Sequence, residues 1–340
     1  SCVAWDKAYF TKGQIYQALY ESPVADYKKL DSEAVEKAWE AYQKVIELDV
    51  KKKYPKKLAI QYRNLAIDFT NRAAELYNAK EFKKALASFK RVLEIKSSPI
   101  LTANGEVSID TAVIYNAGLC AQQAEEYADA EKFLKESIKL NYEPAQSYAM
   151  LSNVLKQQGK TDEALEYLHK GYEQYPDNAY MLVELINHYL LGGEPEKAEV
   201  YLDAAIKQDP KNASFYRAKG TLYEKTERPA QAEEMYVKAL ELDPKDFLAQ
   251  YNLGNIKLTE AINFHKKVQD IVDVNEYNKE LEKVYIAYES VIPYFEKALE
   301  LSPDEKNTLV TLRELYFKLR NQKPEYQQRY DEIKQKLEAQ

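Results

Sequence analysis

Apolar residues recur every three or four positions along most of the chain, and several of these stretches end in the same way. The segment MYVKALELDPKD (235–246) follows YLDAAIKQDPKN (201–212) and YLHKGYEQYPDN (167–178) at intervals of 34 residues, and YFEKALELSPDE (294–305) repeats it later. Such apolar spacing predicts amphipathic helices. Each helix is predicted to end before its proline, because proline cannot continue the helical hydrogen-bond ladder. The pattern therefore predicts a series of similar helices.

Small and aromatic residues keep the same 34-residue register as these prolines. Short turns such as QGKTD (158–162) and GGEPE (192–196) divide each unit into two predicted helices. Small residues are expected where the two helices cross, because a close backbone approach leaves no room for larger side chains, and large apolar residues fill the space to the next unit. The residues in register are Pro176, Pro210 and Pro244; Ala164, Ala198 and Ala232; Gly171, Ala205 and Ala239; and, upstream, Ser152, Ile186, Gly220 and Gly254.

This period and pattern resemble the tetratricopeptide repeat (TPR) family. In residues 213–246 the family's signature places hold Tyr216, Gly220, Tyr223, Ala232, Tyr236, Ala239 and Pro244. The resemblance implies an all-α, right-handed superhelical solenoid of helix hairpins, in which the first helix of each hairpin lines the concave side. We predict one solenoid over residues 1–340, with repeats at about 6–49, 66–99, 111–144, 145–178, 179–212, 213–246 and 247–305, and with 306–340 as a C-terminal cap.

Two stretches interrupt the period. Residues 100–110, ILTANGEVSID, contain a glycine and β-branched residues and predict a loop. Residues 259–283 lengthen the last repeat and have helical composition, so we predict one elongated hairpin near the C-terminus that projects past the stack. The first helix lacks a polar outer face, which suggests either that a preceding segment is absent or that another surface covers this end. Since the sequence opens without methionine, a processed or trimmed N-terminus is expected. Because Ser1 precedes Cys2, this cysteine is interpreted as an ordinary surface or packed residue, with a lipid-bearing first residue as the alternative.

Composition and charge exclude several classes of function. The formal charge of −7 and the pI near 5.4 argue against binding nucleic acid. No apolar run is long enough to span a membrane, so any association with one would go through a partner. The two cysteines and the three histidines (His169, His188 and His265) match no disulfide framework or metal-ligand spacing, and no catalytic motif is present. We therefore predict a protein that is not an enzyme and needs no cofactor or metal.

The expected concave face carries a row of polar residues at the position after the small residue: Asn153, Asn187, Thr221 and Asn255. A carboxamide both donates and accepts hydrogen bonds, so such a row can bind the main chain of an extended peptide. Four further residues fall at places that the family turns inward: Tyr115, Tyr180, Arg217 and Tyr251. Tyrosine and arginine are common interface anchors. The alternative is that the amides only satisfy neighbouring helices or water.

These features predict a scaffold that binds a protein or peptide segment in the groove, within a bacterial envelope assembly. The expected location is periplasmic or associated with the outer membrane, with the cytoplasm as the alternative. A carboxylate clamp is disfavoured because Ala149 and Val183 stand where it requires lysine. Two other functions stay open: a carbohydrate-binding accessory protein that uses its 29 tyrosines, and a structural subunit that docks through 259–283. The run KKKYPKK (51–57) is interpreted as a solvated joint, with an anionic lipid surface as its alternative partner.

Overall fold

The computed structural model describes residues 3–49, 51–103 and 109–339, and every regular element within them is an α-helix. The chain divides into two compact units, Ser1–Met181 and Leu182–Gln340. Cys2 lies outside the described residues. No helix in the described ranges combines the length and the apolar character that crossing a bilayer requires.

The first unit is a series of antiparallel helix pairs. Its helices are α1 (Val3–Glu21), α2 (Ala25–Lys28), α3 (Ala34–Leu48), α4 (Pro55–Asn78), α5 (Phe82–Lys96), α6 (Pro99–Thr102), α7 (Thr111–Gln123), α8 (Tyr127–Lys139), α9 (Pro144–Gln157) and α10 (Thr161–Gln174). The pairs are α1 with α3, α4 with α5, α7 with α8 and α9 with α10. One continuous apolar core, from Phe10 to Ala164, joins these hairpins. The short helix α2 occupies the extra residues between α1 and α3.

The second unit also contains successive helix pairs. The boundary between the units falls within α11 (Ala179–Gly192), and the later helices are α12 (Pro195–Gln208), α13 (Ala213–Lys225), α14 (Pro229–Leu242), α15 (Phe247–Gln269), α16 (Val274–Leu301), α17 (Lys306–Leu319) and α18 (Pro324–Glu338). With 23 and 28 residues, α15 and α16 form a long hairpin. The predicted all-α solenoid class with an elongated hairpin is confirmed, whereas the right-handed superhelix and the repeat boundaries stay predictions.

The repeated prolines follow the ends of the second helices, as their register predicts. In four hairpins the C-cap residue stands directly before the proline, and its N–H still bonds to the carbonyl four residues back, which belongs to the small residue of the repeat. These C-caps have left the helical region, with ψ between 65° and 92°, because a following proline disfavours helical backbone. The C-cap residues are Tyr175, Asp209, Asp243 and Ser302.

Small residues lie where paired helices cross closely. A Cβ atom added to Gly13 would lie 2.4 Å from the Tyr42 ring, and one added to Gly220 would lie 2.7 Å from the Tyr236 ring. Both rings are fully buried. The tyrosine of the second helix therefore rests directly on the backbone of the first. This close packing is the physical reason for the small residue in the repeat.

The segment predicted as a loop at 100–110 is partly helical. Residues 99–102 form α6, a single helical turn that begins with Pro99 after Ser98. Proline suits the first helical position, since its fixed φ fits the helix and its missing N–H would be unbonded there. Leu101 is buried in the core of the first unit and anchors this turn. Residues 104–108 lie outside the described residues.

An ionic cluster around Glu131 joins two hairpins and gives a testable pH dependence. Its carboxylate accepts hydrogen bonds from Lys135 at 2.6 Å, Lys160 at 2.7 Å and Gln158 at 3.0 Å. The Lys135 and Lys160 bonds lower the pKa of Glu131 to about 2. A lowered pKa contributes stability above the ordinary value of 4.5, and this contribution is lost as pH falls towards 2. Glu131→Gln should therefore destabilise the first unit by about 1–3 kcal/mol at neutral pH.

Urea denaturation near neutral pH and in acid measures this difference. The gap between wild type and Glu131→Gln should shrink as the solution is acidified. A gap that stays constant down to acid pH would mean that packing, and not ionic bonding, gives Glu131 its contribution.

Candidate functional site

The predicted polar row lies on the first helices of four consecutive hairpins. Asn153 is on α9, Asn187 on α11, Thr221 on α13 and Asn255 on α15. Asn153 belongs to the first unit, and the other three residues belong to the second. The two parts of the row are therefore described separately.

Asn153 is half-buried and has partners on both sides. Its Oδ1 accepts a hydrogen bond from Gln122 Nε2 at 3.2 Å, and its Nδ2 lies 3.5 Å from the hydroxyl of Tyr180. The Tyr180 ring is itself exposed. The structure thus brings together two of the predicted site residues, and the amide of Asn153 is oriented by its neighbours before any ligand arrives.

In the second unit the row is uneven. Asn187 is exposed and Asn255 is half-buried, and neither side chain has a hydrogen-bond partner within the described part of the chain. Thr221 differs, because its hydroxyl bonds to the Arg217 carbonyl at 3.2 Å and contacts the Tyr236 hydroxyl at 3.2 Å. The two asparagines can offer both a donor and an acceptor to a ligand, while Thr221 is engaged in the hairpin.

The other predicted anchors also have internal contacts. Arg217 Nε lies 2.9 Å from Asp246 Oδ2, and the other oxygen of Asp246 caps α15 by accepting the Ala249 N–H at 3.1 Å. Tyr251 packs edge-on against the buried Phe295 ring, with centroids 5.7 Å apart. Tyr115 packs against Tyr142, with centroids 5.8 Å apart. Burial, followed by the charge of Glu143, raises the pKa of Tyr115. Arg217 thus links α13 to the start of the next hairpin, Tyr251 links the two helices of one hairpin, and Tyr115 packs against the turn between α8 and α9.

The residues with potential for chemistry do not converge on one point. His265 Nδ1 lies 3.1 Å from the Tyr288 hydroxyl, and burial together with the nearby Lys318 lowers the pKa of His265. His188 packs edge-on against Tyr189, with ring centroids 5.0 Å apart. Burial raises the pKa of the Cys120 thiol to about 12, so the reactive thiolate is disfavoured. Within the described residues no three histidine, cysteine or acidic side chains are grouped to hold a metal.

A cleft between α1 and α4 in the first unit was not predicted from the sequence. It has a volume of about 350 Å³. The sequence suggested that the lysine run 51–57 was a solvated joint, but Lys57 of this run lies on α4 and lines the cleft. The residues that line the cleft are Lys7, Phe10, Thr11, Gln14, Tyr54, Lys57, Ile60 and Gln61. The available sequence signal was the lysine-rich start of this helix, with Ile60 shortly after it.

Comparisons with known proteins agree with the repeat pattern. Two family models, both described as tetratricopeptide repeat, match residues 155–222 and residues 213–246. A TPR repeat-containing protein of Methanocaldococcus jannaschii is 21% identical over 304 residues, covering 74% of this chain and 51% of that protein. The chain therefore spans about half the length of this archaeal relative.

Solved structures show the same fold. The C-terminal part of a TPR repeat-containing protein from Cytophaga hutchinsonii matches with a TM-score of 0.54 and 14% identity, covering 79% of this chain and 94% of that one. YrrB, a TPR protein with an unusual peptide-binding site, is 25% identical with a TM-score of 0.43, covering 55% of this chain and 91% of its own. Residues 155–246 thus match tetratricopeptide repeat models, and the helix pairs of the described residues have the fold of a TPR protein.

Proposed function

We propose that this protein is a non-catalytic scaffold that binds a protein or peptide segment along the first helices of its hairpins. The TPR fold is in general a protein-interaction fold without catalytic activity, which supports the broad assignment. The observation that carries the proposal is the pair of amides at Asn187 and Asn255, which have no hydrogen-bond partner among the residues that the structure describes. We further propose that the scaffold acts in a bacterial envelope assembly, the location expected from the sequence.

Amides at one repeat position suit an extended main chain. A peptide in extended conformation presents N–H and C=O groups at regular intervals, and a carboxamide can bond to one of each. Asn187 and Asn255 have both groups available, while Asn153 is held in place by Gln122 and Tyr180. Binding through the main chain depends little on the partner's sequence, so specificity would come from side chains beside the row.

Replacing the asparagines of the row tests the proposal. Asn153→Ala/Asn187→Ala/Asn255→Ala should remove bound partners in an affinity pull-down from the native source, read by mass spectrometry. Each lost hydrogen bond weakens binding by about 0.5–1.5 kcal/mol, so the triple variant should bind at least roughly tenfold more weakly. Loss of the partners from the variant would place recognition on this row.

A matched control separates recognition from a general loss of amides. Gln231→Ala/Asn321→Ala/Gln322→Ala removes three exposed amides that lie off the row, and it should retain every partner. Circular dichroism should give both variants the helix content of the wild type. The row hypothesis fails if its triple variant captures the same partners in the same amounts as this control.

The tip of the long hairpin supports a second candidate function, docking as a structural subunit. Val272 is 95% exposed and Val274 is 68% exposed, where α15 turns into α16. Exposed branched apolar side chains at a loop tip are unfavourable in water, and a partner surface would cover them. Val272→Ser/Val274→Ser should leave the fold intact and release partners that dock there. Partners retained by this variant but lost from the asparagine variant would exclude docking through the tip.

A further inference from the structure

The cleft between α1 and α4, here called the basic cleft, combines charge, hydrogen-bonding groups and an apolar floor. Lys7 and Lys57 lie on its opposite walls, one from each helix. Phe10 and Tyr54 form part of its floor and stack on each other with centroids 5.1 Å apart. Ile60 stands in the cleft with 54% of its surface exposed. A ligand that fits must therefore bring negative charge and an apolar group together.

Within the described residues, several lysines at the basic cleft have no carboxylate partner. Five exposed lysines, in and beside the cleft, form no ion pair within the described residues. The two nearby carboxylates are occupied: Asp6 accepts the Lys7 N–H and pairs with Lys53 at 3.7 Å, and Asp49 caps the N–H groups of Lys53 and Tyr54. The unpaired lysines are Lys7, Lys51, Lys52, Lys56 and Lys57. A local excess of positive charge thus stands on a chain whose formal charge is −7.

Helix stability does not explain these lysines. Lys56 and Lys57 occupy the first turn of α4, which contains no acidic residue. The helix dipole favours negative side chains at this end and disfavours positive ones. The lysines of the 51–57 run also lie close together in sequence and repel one another. An anionic partner would relieve both unfavourable terms.

We propose that the basic cleft binds an acidic peptide segment in which carboxylates flank an aliphatic side chain. The carboxylates pair with Lys7 and Lys57, and the aliphatic side chain covers Ile60. Gln14 and Thr11 line the same cleft and can bond to the main chain of the segment. Gln61 also lines the cleft, and its Oε1 lies 3.2 Å from the Tyr42 hydroxyl.

The geometry favours a peptide over the other polyanions. A membrane surface is broad, and it would contact the exposed Lys51 and Lys52, which do not line the cleft, more easily than side chains between two helices. Single-stranded nucleic acid binds by stacking its bases on exposed aromatic faces. Here the Phe10 ring is buried and its face is occupied by Tyr54. The overall charge of −7 also repels a long polyanion more strongly than a short segment.

This inference rests on the proposed function for the class of partner, but it assigns a separate site. The basic cleft contains none of the residues of the asparagine row. Substitutions in the cleft and substitutions in the row can therefore abolish binding independently of each other. If binding of the acidic peptide depends on the asparagine row and not on the cleft lysines, the proposal for the basic cleft is wrong and the proposed function stands.

The experiment uses the full chain and a short fluorescein-labelled peptide of repeated Glu-Leu-Glu-Gly units, followed by fluorescence anisotropy at low salt. The neutral counterpart replaces each Glu with Gln. Lys7→Glu/Lys57→Glu should bind the acidic peptide roughly tenfold to a hundredfold more weakly than wild type. Lys7→Arg/Lys57→Arg should retain binding. The matched control is Lys80→Glu/Lys132→Glu, which reverses two exposed lysines outside the cleft and should bind like wild type.

The outcomes separate the possible ligands. The proposal is supported if the protein binds the acidic peptide and does not bind the Gln peptide. Added salt should weaken this binding, and so should Lys7→Glu/Lys57→Glu, whereas the control variant should not. If Lys7→Glu/Lys57→Glu and Lys80→Glu/Lys132→Glu lose affinity for the acidic peptide equally, the effect is due to net charge and the proposal is wrong. Preferential, Lys7- and Lys57-dependent binding of phosphatidylserine vesicles or of oligothymidine would also overturn it, as would absence of any binding by the acidic peptide.

Discussion

Replacing Tyr236 with alanine should lower the free energy of unfolding of the second unit by about 3–5 kcal/mol, the range for deleting a large buried aromatic side chain. The Tyr236 ring has no exposed surface and lies against the backbone of Gly220. Its hydroxyl bonds to Glu224, receives the Asn252 amide at 3.1 Å and contacts Thr221 at 3.2 Å. Alanine would leave a cavity at the helix crossing and three polar groups without their partner.

Tyr236→Phe divides this loss into two parts. Phenylalanine keeps the ring packed on Gly220 and removes only the hydroxyl, so it should cost about 1–3 kcal/mol. Hydrogen exchange measures both variants locally, and α13 and α14 should lose protection before α17. If Tyr236→Ala unfolds no more easily than Tyr236→Phe, the packing of the ring on Gly220 does not hold the hairpin together.

The close crossing of paired helices could be predicted from the sequence because both residues that form the contact belong to the same repeat. A small residue and a facing aromatic recur at fixed spacing, and Gly220 with Tyr236 shows the contact that this spacing requires. The prolines behave similarly, since a local backbone constraint ends each second helix. The elongated hairpin was also predictable, as the inserted residues keep helical composition. The short helices α2 and α6 were missed, because helices of a single turn leave little periodic signal.

The candidate site was less predictable. The period places Asn153, Asn187, Thr221 and Asn255 at equivalent positions, but it does not say which side chains already have partners. Thr221 bonds to its own helix and to Tyr236, whereas the amides of Asn187 and Asn255 have no partner in the described ranges. Such differences depend on side chains that meet from separate helices. The basic cleft was missed for the same reason, since Lys7 and Lys57 meet only after α1 and α4 have packed.

A buried carboxyl in the first unit gives the second large effect, a loss of stability as pH rises. Asp68 on α4 is 5% exposed, and its Oδ2 accepts a hydrogen bond from Gln17 Nε2 at 2.7 Å. The Tyr42 hydroxyl donates to the other side of Gln17 at 3.1 Å. Burial raises the pKa of Asp68 from 3.8 to about 7, opposed by the Gln17 bond and reinforced by Glu21. This chain of contacts joins α1, α3 and α4.

The sign of the effect follows from the raised pKa. The unfolded chain releases the Asp68 proton near pH 3.8, while the folded chain holds it until about pH 7. The stabilising contribution is therefore complete below pH 3.8 and is lost as pH rises through about 7. A pKa difference of this size corresponds to roughly 4 kcal/mol between the two ends of the window. The first unit should be markedly weaker in mild alkali than in mild acid.

Asp68→Asn removes the ionisation while keeping an oxygen that can accept the Gln17 bond. We expect this variant to be more stable than wild type at about pH 9 by up to roughly 4 kcal/mol, and to match it near pH 4. Hydrogen exchange in α1 and α4, together with urea denaturation at both pH values, measures the difference. Asp162→Asn, at an exposed position in the same unit, should change neither value. If Asp68→Asn and wild type lose stability in parallel as pH rises, another group carries the pH dependence and Asp68 is ionised in the folded chain throughout.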